Sequence, residues 1–376
     1  MDYFISANGN DSNPGTEAKP WRNVQTIQGR AFSPGDRILL RKGDFWAVTG
    51  PVALYHSGGG VKGTPIAFDA YGSGPYPRVR GEGDAWTALK FDRPWLSVRH
   101  WQFEGVRNGA VASNAPGLDV RECVFANCGG HGFQLSRLDG PSPDAIVRNC
   151  QAKQIGGSGF SFTTEANLQV LFNYAGRCCM DEKAPADNFD MNYTAGLKIF
   201  GRYGETGVVI EGNVCEDNGN MVQTEAGVAS ISKGMGLWID YCEAGAVIAR
   251  YNLCRRNINS GIAVEITENQ QIYSNRCYDN GLRYAHEPQM SPNMAGIVAF
   301  RGAHKNRIKY NVCFRNPWQT LLWGYPGAGA EGMPQDCNDN IWEQNTLLSR
   351  NGGAYFGIKD CDLAKNLRIN EVEERI

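Results

Sequence analysis

Asp240 and Glu265 are the residues of this 376-residue sequence best placed to do chemistry. Each stands fourth after a glycine in a run of the same kind, Gly236-Leu-Trp-Ile-Asp240 and Gly261-Ile-Ala-Val-Glu265. In both runs the residues one and three after the glycine are apolar. A period of two marks a strand with one buried face, so the carboxylates point to the other face. If the two runs are neighbouring parallel strands in register, the carboxylates lie roughly 5 Å apart, because adjacent strands are about 4.8 Å apart. Retaining glycosidases hold their two acids about 5–5.5 Å apart. Close packing of two carboxylates also raises one pKa, so that one holds a proton while the other is ionised. The competing reading is of two solvated surface acids. Like charges stacked in register repel, however, and the other residues at this position are uncharged: Ser136, Thr163, Phe200 and Phe300.

Candidate substrate-binding residues surround the pair in the sequence. Trp238 shares the outward face with Asp240 and suits stacking on a sugar, unless an insertion covers it. Lys198 holds the equivalent of the Trp238 position one run earlier, and Arg301 follows the run after Glu265. Either cation suits an anionic sugar group. Tyr241, Glu243, His286, Glu287 and His304 lie in the same stretch. Trp318, Trp323 and Tyr325 fall in a Gly/Pro-rich segment, residues 316–335, read as a loop walling the cleft.

These residues need a scaffold, and an internal repeat supplies it. The glycine line comprises Gly132, Gly159, Gly196, Gly236, Gly261 and Gly296. A second line interleaves with it: Ile210-x-x-Asn213, Ala249-x-x-Asn252, Ile272-x-x-Asn275, Ile308-x-x-Asn311 and Trp342-x-x-Asn345. Its shortest step is 22 to 23 residues, and longer steps are that minimum plus an insertion. The insertions collect between the asparagine line and the next glycine, which places them at one corner of the repeat. A short coil of strands without helical periodicity predicts a parallel β-helix, in which each coil contacts only its neighbours. The asparagines then form an internal ladder at a turn, where Asn tolerates left-handed backbone and satisfies neighbouring backbone groups. Val24, Ile27 and Ala31 near helical spacing predict a short amphipathic helix over residues 21–32 that caps the open end.

Composition narrows the function. Lys plus Arg number 37 against 39 for Asp plus Glu, a net charge of -2, which gives no electrostatic footprint for nucleic acid or an anionic membrane. No apolar run is long enough to span a bilayer, and residues 1–30 lack a signal-peptide pattern. The 12 cysteines read as free, buried, small apolar residues rather than a disulfide scaffold or zinc site.

The opening Tyr3-Phe-Ile-Ser-Ala-Asn-Gly-Asn-Asp-Ser-Asn-Pro-Gly-Thr16, with Pro20-Trp21 and Pro34-Gly-Asp36, resembles the start of right-handed parallel β-helix carbohydrate enzymes, the pectin-lyase-like proteins. That resemblance covers residues 1 to about 350. It implies an all-β, right-handed parallel β-helix with a short N-terminal cap helix. The expected layout is a single domain over residues 1–376 of nine or ten coils: cap and first coils over 1–97, regular coils over 98–350, and a final coil or tail over 351–376. Around Gly236–Ile266 the sequence is similar to the region carrying the catalytic Asp and Glu of glycoside hydrolase family 120 β-xylosidases. By that resemblance Asp240 matches the nucleophile and Glu265 the general acid/base. The expected function is therefore a retaining glycoside hydrolase, secreted or periplasmic, with a carbohydrate substrate, no cofactor, and no nucleic-acid or membrane partner. Oligomeric state stays open.

Two alternatives stand beside it. One is a polysaccharide lyase or uronate epimerase, with Lys198 and Arg301 serving a uronate. The uronate carboxylate is then neutralised by Ca²⁺ or by cationic groups, and Asp181, Glu182, Asp187 and Asp190 are the acidic residues that could hold Ca²⁺, at no defined calcium-loop spacing. The other is a non-catalytic glycan binder or tailspike-like trunk.

Overall fold

The computed structural model describes the chain except residues 51–57, 83–84, 181–193, 202, 220, 225–226, 232–233, 243–244, 246, 282–293, 325–336, 350–353, 360, 362–364 and 376. Short runs of β-branched, aromatic and small residues form strands of three to six residues, and apart from the first two strands and one hairpin, successive strands enter different sheets. Among the described residues sheet one has 13 strands, from Asp2–Ile5 to Leu367–Ile369; sheet two has 12, from Phe45–Thr49 to Val372–Arg375; sheet three has 10, from Thr87–Phe91 to Ala354–Lys359. Within these three sheets all pairing is parallel, and each inner strand lies between its equivalents in the coil before and the coil after. The architecture is the expected right-handed parallel β-helix. Residues ahead of Thr87 add strands to sheets one and two alone. The last two short strands pair onto the stack, so the charged C-terminal stretch is a final coil.

The glycine line has a steric cause. A Cβ at Gly236 would lie 2.5 Å from the Gly261 carbonyl oxygen, and one at Gly261 would lie 2.7 Å from that of Gly296. The coils approach so closely at the entry to sheet three that any side chain would push them apart.

The asparagine line is a buried ladder. Asn173, Asn213, Asn252, Asn275, Asn311 and Asn345 are linked by side-chain amide bonds of 2.9–3.0 Å from each Nδ2 to the next Oδ1. The left-handed residue is not the asparagine but its predecessor: Phe172, Gly212, Tyr251, Ser274, Tyr310 and Gln344. The side chain instead satisfies backbone groups inside the turn. Two further ladders run beside it, five residues on and five residues back. Asn218, Asn257, Asn280 and Asn316 form one, and Gln270, Asn306, Asn340 and Asn366 the other. The Asn-x4-Asn spacing is in the sequence, but the single-line reading passes over it.

Cysteines fill the interior next to the first ladder. Cys215, Cys254, Cys277 and Cys313 are register partners on successive strands of sheet two. All 12 cysteines are free thiols, 11 of them buried.

Two expectations are corrected. The cap helix over residues 21–32 is a single 3-10 turn, Val24–Ile27. Asn23 makes no side-chain cap bond, and Gly29 at φ 69° breaks the run after one turn. Val24 and Ile27 are buried as expected, but Phe32 rather than Ala31 turns inward. The first coil closes instead through Tyr3, whose ring stacks on Trp21 at 5.3 Å. Trp318 and Trp323 do not lie in a loop: they bound the strand Trp318–Trp323, which completes the alternation of sheet three.

Three long connections leave sheet two for sheet three, at the expected corner; one carries the antiparallel hairpin of Met221–Thr224 and Gly227–Ile231. A fourth, after Trp323, runs from sheet three to sheet one.

Asn275→Ala tests the ladder. Asn275 accepts from the Asn252 backbone at 2.9 Å and side chain at 3.0 Å, and donates to the Ala249 carbonyl at 3.0 Å. Stranding those buried groups is expected to cost about 3 kcal/mol, read as a lower urea-denaturation midpoint.

Candidate active site

The site is built on the outer face of sheet three. Asp240 ends the strand Met235–Asp240 and Glu265 ends the strand Ile262–Glu265, and the two are direct register partners. The ladder continues as Phe200, Asp240, Glu265, Phe300 and Trp323. The predicted adjacency of the two acids is present, at the ~4.8 Å step of parallel strands. Asp240 is 4% exposed and Glu265 2%.

Each acid has a cation from a different coil. Lys198 Nζ donates to Asp240 Oδ2 at 2.8 Å, reaching diagonally from the coil before. Arg301 Nη1 donates to Glu265 Oε1 at 3.1 Å, from the left-handed residue that follows the next strand (φ 50°). Opposite charge this close offsets the repulsion between stacked acids. The two carboxylates and two cations form one compact, charge-balanced group.

Trp238 points outward, as its place in the strand requires, but it is fully buried and offers no open ring face to a sugar. Lys198 Nζ sits 3.6 Å from its ring centroid. Trp238 belongs to a second apolar cluster on the outside of sheet three, with Met235, Ala263, Val298, Phe300 and Trp323. Phe300 and Trp323 stack at 5.9 Å. The cluster walls the acids on the C-terminal side, where alternation alone would predict solvent.

The sequence reading missed His131. It stands directly before Gly132, the place in the coil that Ser158, Ala195, Met235 and Ala295 occupy in theirs. That shared place was the available signal. The Ser158 amide donates to His131 Nδ1 at 3.1 Å, which leaves the ring proton on Nε2. Burial pushes its pKa down to about 4, and the charges of Lys198 and Arg107 act in the same direction. His131 is therefore a neutral donor at pH 7, close enough to Lys198 to feel its charge.

Glu165 and Arg137 also went unread. Glu165 is fully buried and accepts from Thr163 Oγ1 at 3.1 Å and the Ser142 amide at 3.0 Å. Arg137 spans from Glu165 at 3.6 Å to Glu205 at 2.9 Å. Burial pushes the Glu165 carboxyl up. These contacts tie three successive turns together.

The remaining predicted residues divide. Tyr241 directly follows Asp240 in a left-handed turn, its amide donating to the Glu265 carbonyl at 3.1 Å. Trp318 lies at the start of its strand and is 36% exposed. His304 belongs to a surface cluster with Glu268 and Lys305, at 3.7 Å from Glu268. His286, Glu287, Glu243 and Tyr325, with Asp181, Glu182, Asp187 and Asp190, lie outside the described residues. Among the described residues no group of three or more His, Cys, Asp or Glu is arranged to hold a metal ion.

No family model matches the sequence, and no curated protein does. Solved structures do resemble the chain. A periplasmic alginate epimerase, AlgG, superposes with TM-score 0.59 at 12% identity, covering 92% of this chain and 78% of that one. The A-module of the mannuronan C-5 epimerase AlgE4 of Azotobacter vinelandii gives 0.55 at 14%, covering 90% and 88%. XylC, in complex with xylose, gives 0.55 at 9%, covering 94% and 76%. At these identities the likeness establishes the fold, a parallel β-helix shared with glycan-processing proteins.

His131 gives the stability of the protein a pH dependence of known sign. In the unfolded chain it takes its proton near 6.5, in the folded chain only near 4. Between those values the unfolded state binds more protons, so stability falls as pH drops through that window. His131→Gln removes this contribution, and its unfolding free energy is expected to decline less than that of the parent, measured by urea melts near each end of the window.

Proposed function

We propose that this protein abstracts the C5 proton of a uronate residue in a glycan, as a polysaccharide lyase or uronate epimerase. The observation that carries the reading is the pairing of both stacked acids with cations: Lys198 on Asp240 at 2.8 Å and Arg301 on Glu265 at 3.1 Å. A hydrolytic pair needs one acid that holds its proton and one that is free to attack. Two acids each held by a cation suit a different reaction. Removing the proton next to a uronate carboxylate builds negative charge on that carboxylate, and a cationic group must neutralise it.

Arg301 fits the role of carboxylate clamp, since its planar guanidinium can hold Glu265 and a substrate carboxylate together. The Lys198–Asp240 pair fits the role of proton-handling group at C5. Asp240 aims the lysine, and the Trp238 ring beneath fixes the ammonium in place. In a lyase the C5–H electrons form the C4–C5 double bond and the O4 leaving group departs with a proton. In an epimerase the proton returns to the opposite face. Two of the fold relatives above, AlgG and the AlgE4 module, are named as epimerases of alginate and mannuronan, which supports the uronate class.

A second reading rests on one observation. Asp240 and Glu265 are register partners, the spacing of a retaining glycosidase. It assigns Asp240 as nucleophile and Glu265 as acid/base, on a neutral glycan.

One incubation separates the readings. In deuterated buffer with polyuronates and neutral polysaccharides, the lyase gives ultraviolet absorbance from unsaturated uronate. The epimerase gives deuterium at C5 without chain cleavage. New reducing ends without either signal sink the uronate reading and move the assignment to the glycosidase. Lys198→Arg keeps a cation on Asp240 but cannot exchange its proton at neutral pH. It is expected to fold and to lose at least about a hundredfold in rate. Full activity of that variant removes Lys198 from the mechanism.

A further inference from the structure

The corner between sheets one and two, opposite the outer face of sheet three, carries a pattern that the candidate site does not use. There the left-handed residue ahead of each ladder asparagine is Phe172, Gly212, Tyr251, Ser274 and Tyr310 on five successive coils, with φ of 55, 67, 57, 56 and 57°. The order is ring, small, ring, small, ring. The three rings are well exposed: Phe172 55%, Tyr251 58% and Tyr310 48%.

The fold does not require rings at this place. Gly212 and Ser274 make the same turn, and left-handed backbone disfavours bulky side chains. The small residues instead make room. A Cβ on Gly212 would come within 2.3 Å of the Phe172 ring, so that ring lies along the surface over the next coil. Rings on alternate coils are about 9.6 Å apart, and the strip is about 19 Å long. Tyr273, on the coil between Tyr251 and Tyr310, adds a ring 6.3 Å from Tyr251. Cations flank the row. Lys309 Nζ lies 5.7 Å from the Tyr273 and Tyr310 rings, and among the described residues it makes no ion pair. The Arg250 guanidinium lies 5.8 Å from Tyr251, held by Glu211.

We infer that this corner is a second glycan-binding site, which takes an extended anionic polysaccharide along the axis of the coil. A pyranose presents a face of C–H groups that packs on an exposed aromatic ring. One coil rises about as far as one sugar advances in an extended chain. Rings on alternate coils therefore meet alternate sugars, which present the same face in a two-fold chain, and the small residues between leave space for the sugar in the middle. Lys309 and Arg250 stand beside the row where acidic groups would lie. A protein partner would call for a contiguous patch with a closed, packed centre, and separated rings in single file do not make one. The charge of the ligand rests on the uronate reading above; the stacking does not. The strip would hold the polymer while the outer face of sheet three works on another stretch.

Affinity electrophoresis tests this, in gels containing sodium alginate, polygalacturonate or hydroxyethylcellulose. Tyr251→Ser with Tyr310→Ser copies the natural Ser274 into the same ladder place, so the fold should hold, as thermal melting checks. The parent is expected to be retarded by a polyuronate, and the double variant to lose about fivefold in affinity. Lys309→Gln weakens the same binding and lessens its salt dependence. Absence of retardation of the parent in both polyuronates overturns the inference, as does equal retardation of the double variant. Loss in Lys198→Arg but not in the double variant overturns it too, and places binding on the outer face of sheet three. A parent dimer in sedimentation that the double variant abolishes, without polysaccharide retardation, makes the strip a contact between copies and overturns it as well.

Discussion

Register between coils is the constraint on which everything else in this molecule depends. Each strand finds its backbone partners in the coil before and the coil after, so a residue at one place in a coil is locked beside its equivalents. A slip of one residue would turn every inward side chain outward. Two devices resist that slip. At the entry to sheet three the backbones approach too closely for any side chain but glycine. At the turns, three ladders of amide side chains bond in sequence, each reaching the backbone of the coil before and the amide of the coil after.

That rigidity creates the problem the site must solve. Strict register stacks like on like, which suits apolar rows and the cysteine row and penalises a row of acids. Asp240 and Glu265 are adjacent nonetheless. Their charges are balanced by cations drawn from off-register places: Lys198 two positions earlier in its coil, Arg301 one position past the ladder. Balance is what allows the group to be buried, since an uncompensated charge in the same place would carry a penalty of several kcal/mol. The outer apolar cluster around Trp238 then shields the group, and the lysine is held between a carboxylate and an aromatic ring.

A coil that repeats also separates its faces. The outer face of sheet three carries the acids, and the corner between sheets one and two carries the exposed rings. Each is set by its own position in the repeat, so residues change at one without disturbing the other. The same backbone occurs in proteins named as epimerases of alginate and mannuronan and in one solved with xylose, and chemistry must therefore be argued from side chains on one face rather than from the coil.

The sequence by itself determined the coil, its inward and outward faces, and the adjacency of Asp240 and Glu265. Those follow from period-two alternation and from the glycine and asparagine lines, which are local and repeat often enough to be read. It carried the two extra amide ladders as well, at a spacing of five residues that a single-line reading passes over. It did not determine the partners of the acids. Lys198 and Arg301 reach them diagonally, and reach depends on side-chain rotamers and not on position in the repeat. Nor did it show that Trp238 is covered, because alternation says which way a side chain points and nothing of what lies on it. His131 stands one residue before a line glycine, a place that alternation alone turns inward, and it is enclosure near two cations that lowers its pKa and keeps it neutral. Tertiary structure decided the electrostatics, since burial and charge partners come from coils distant in the chain.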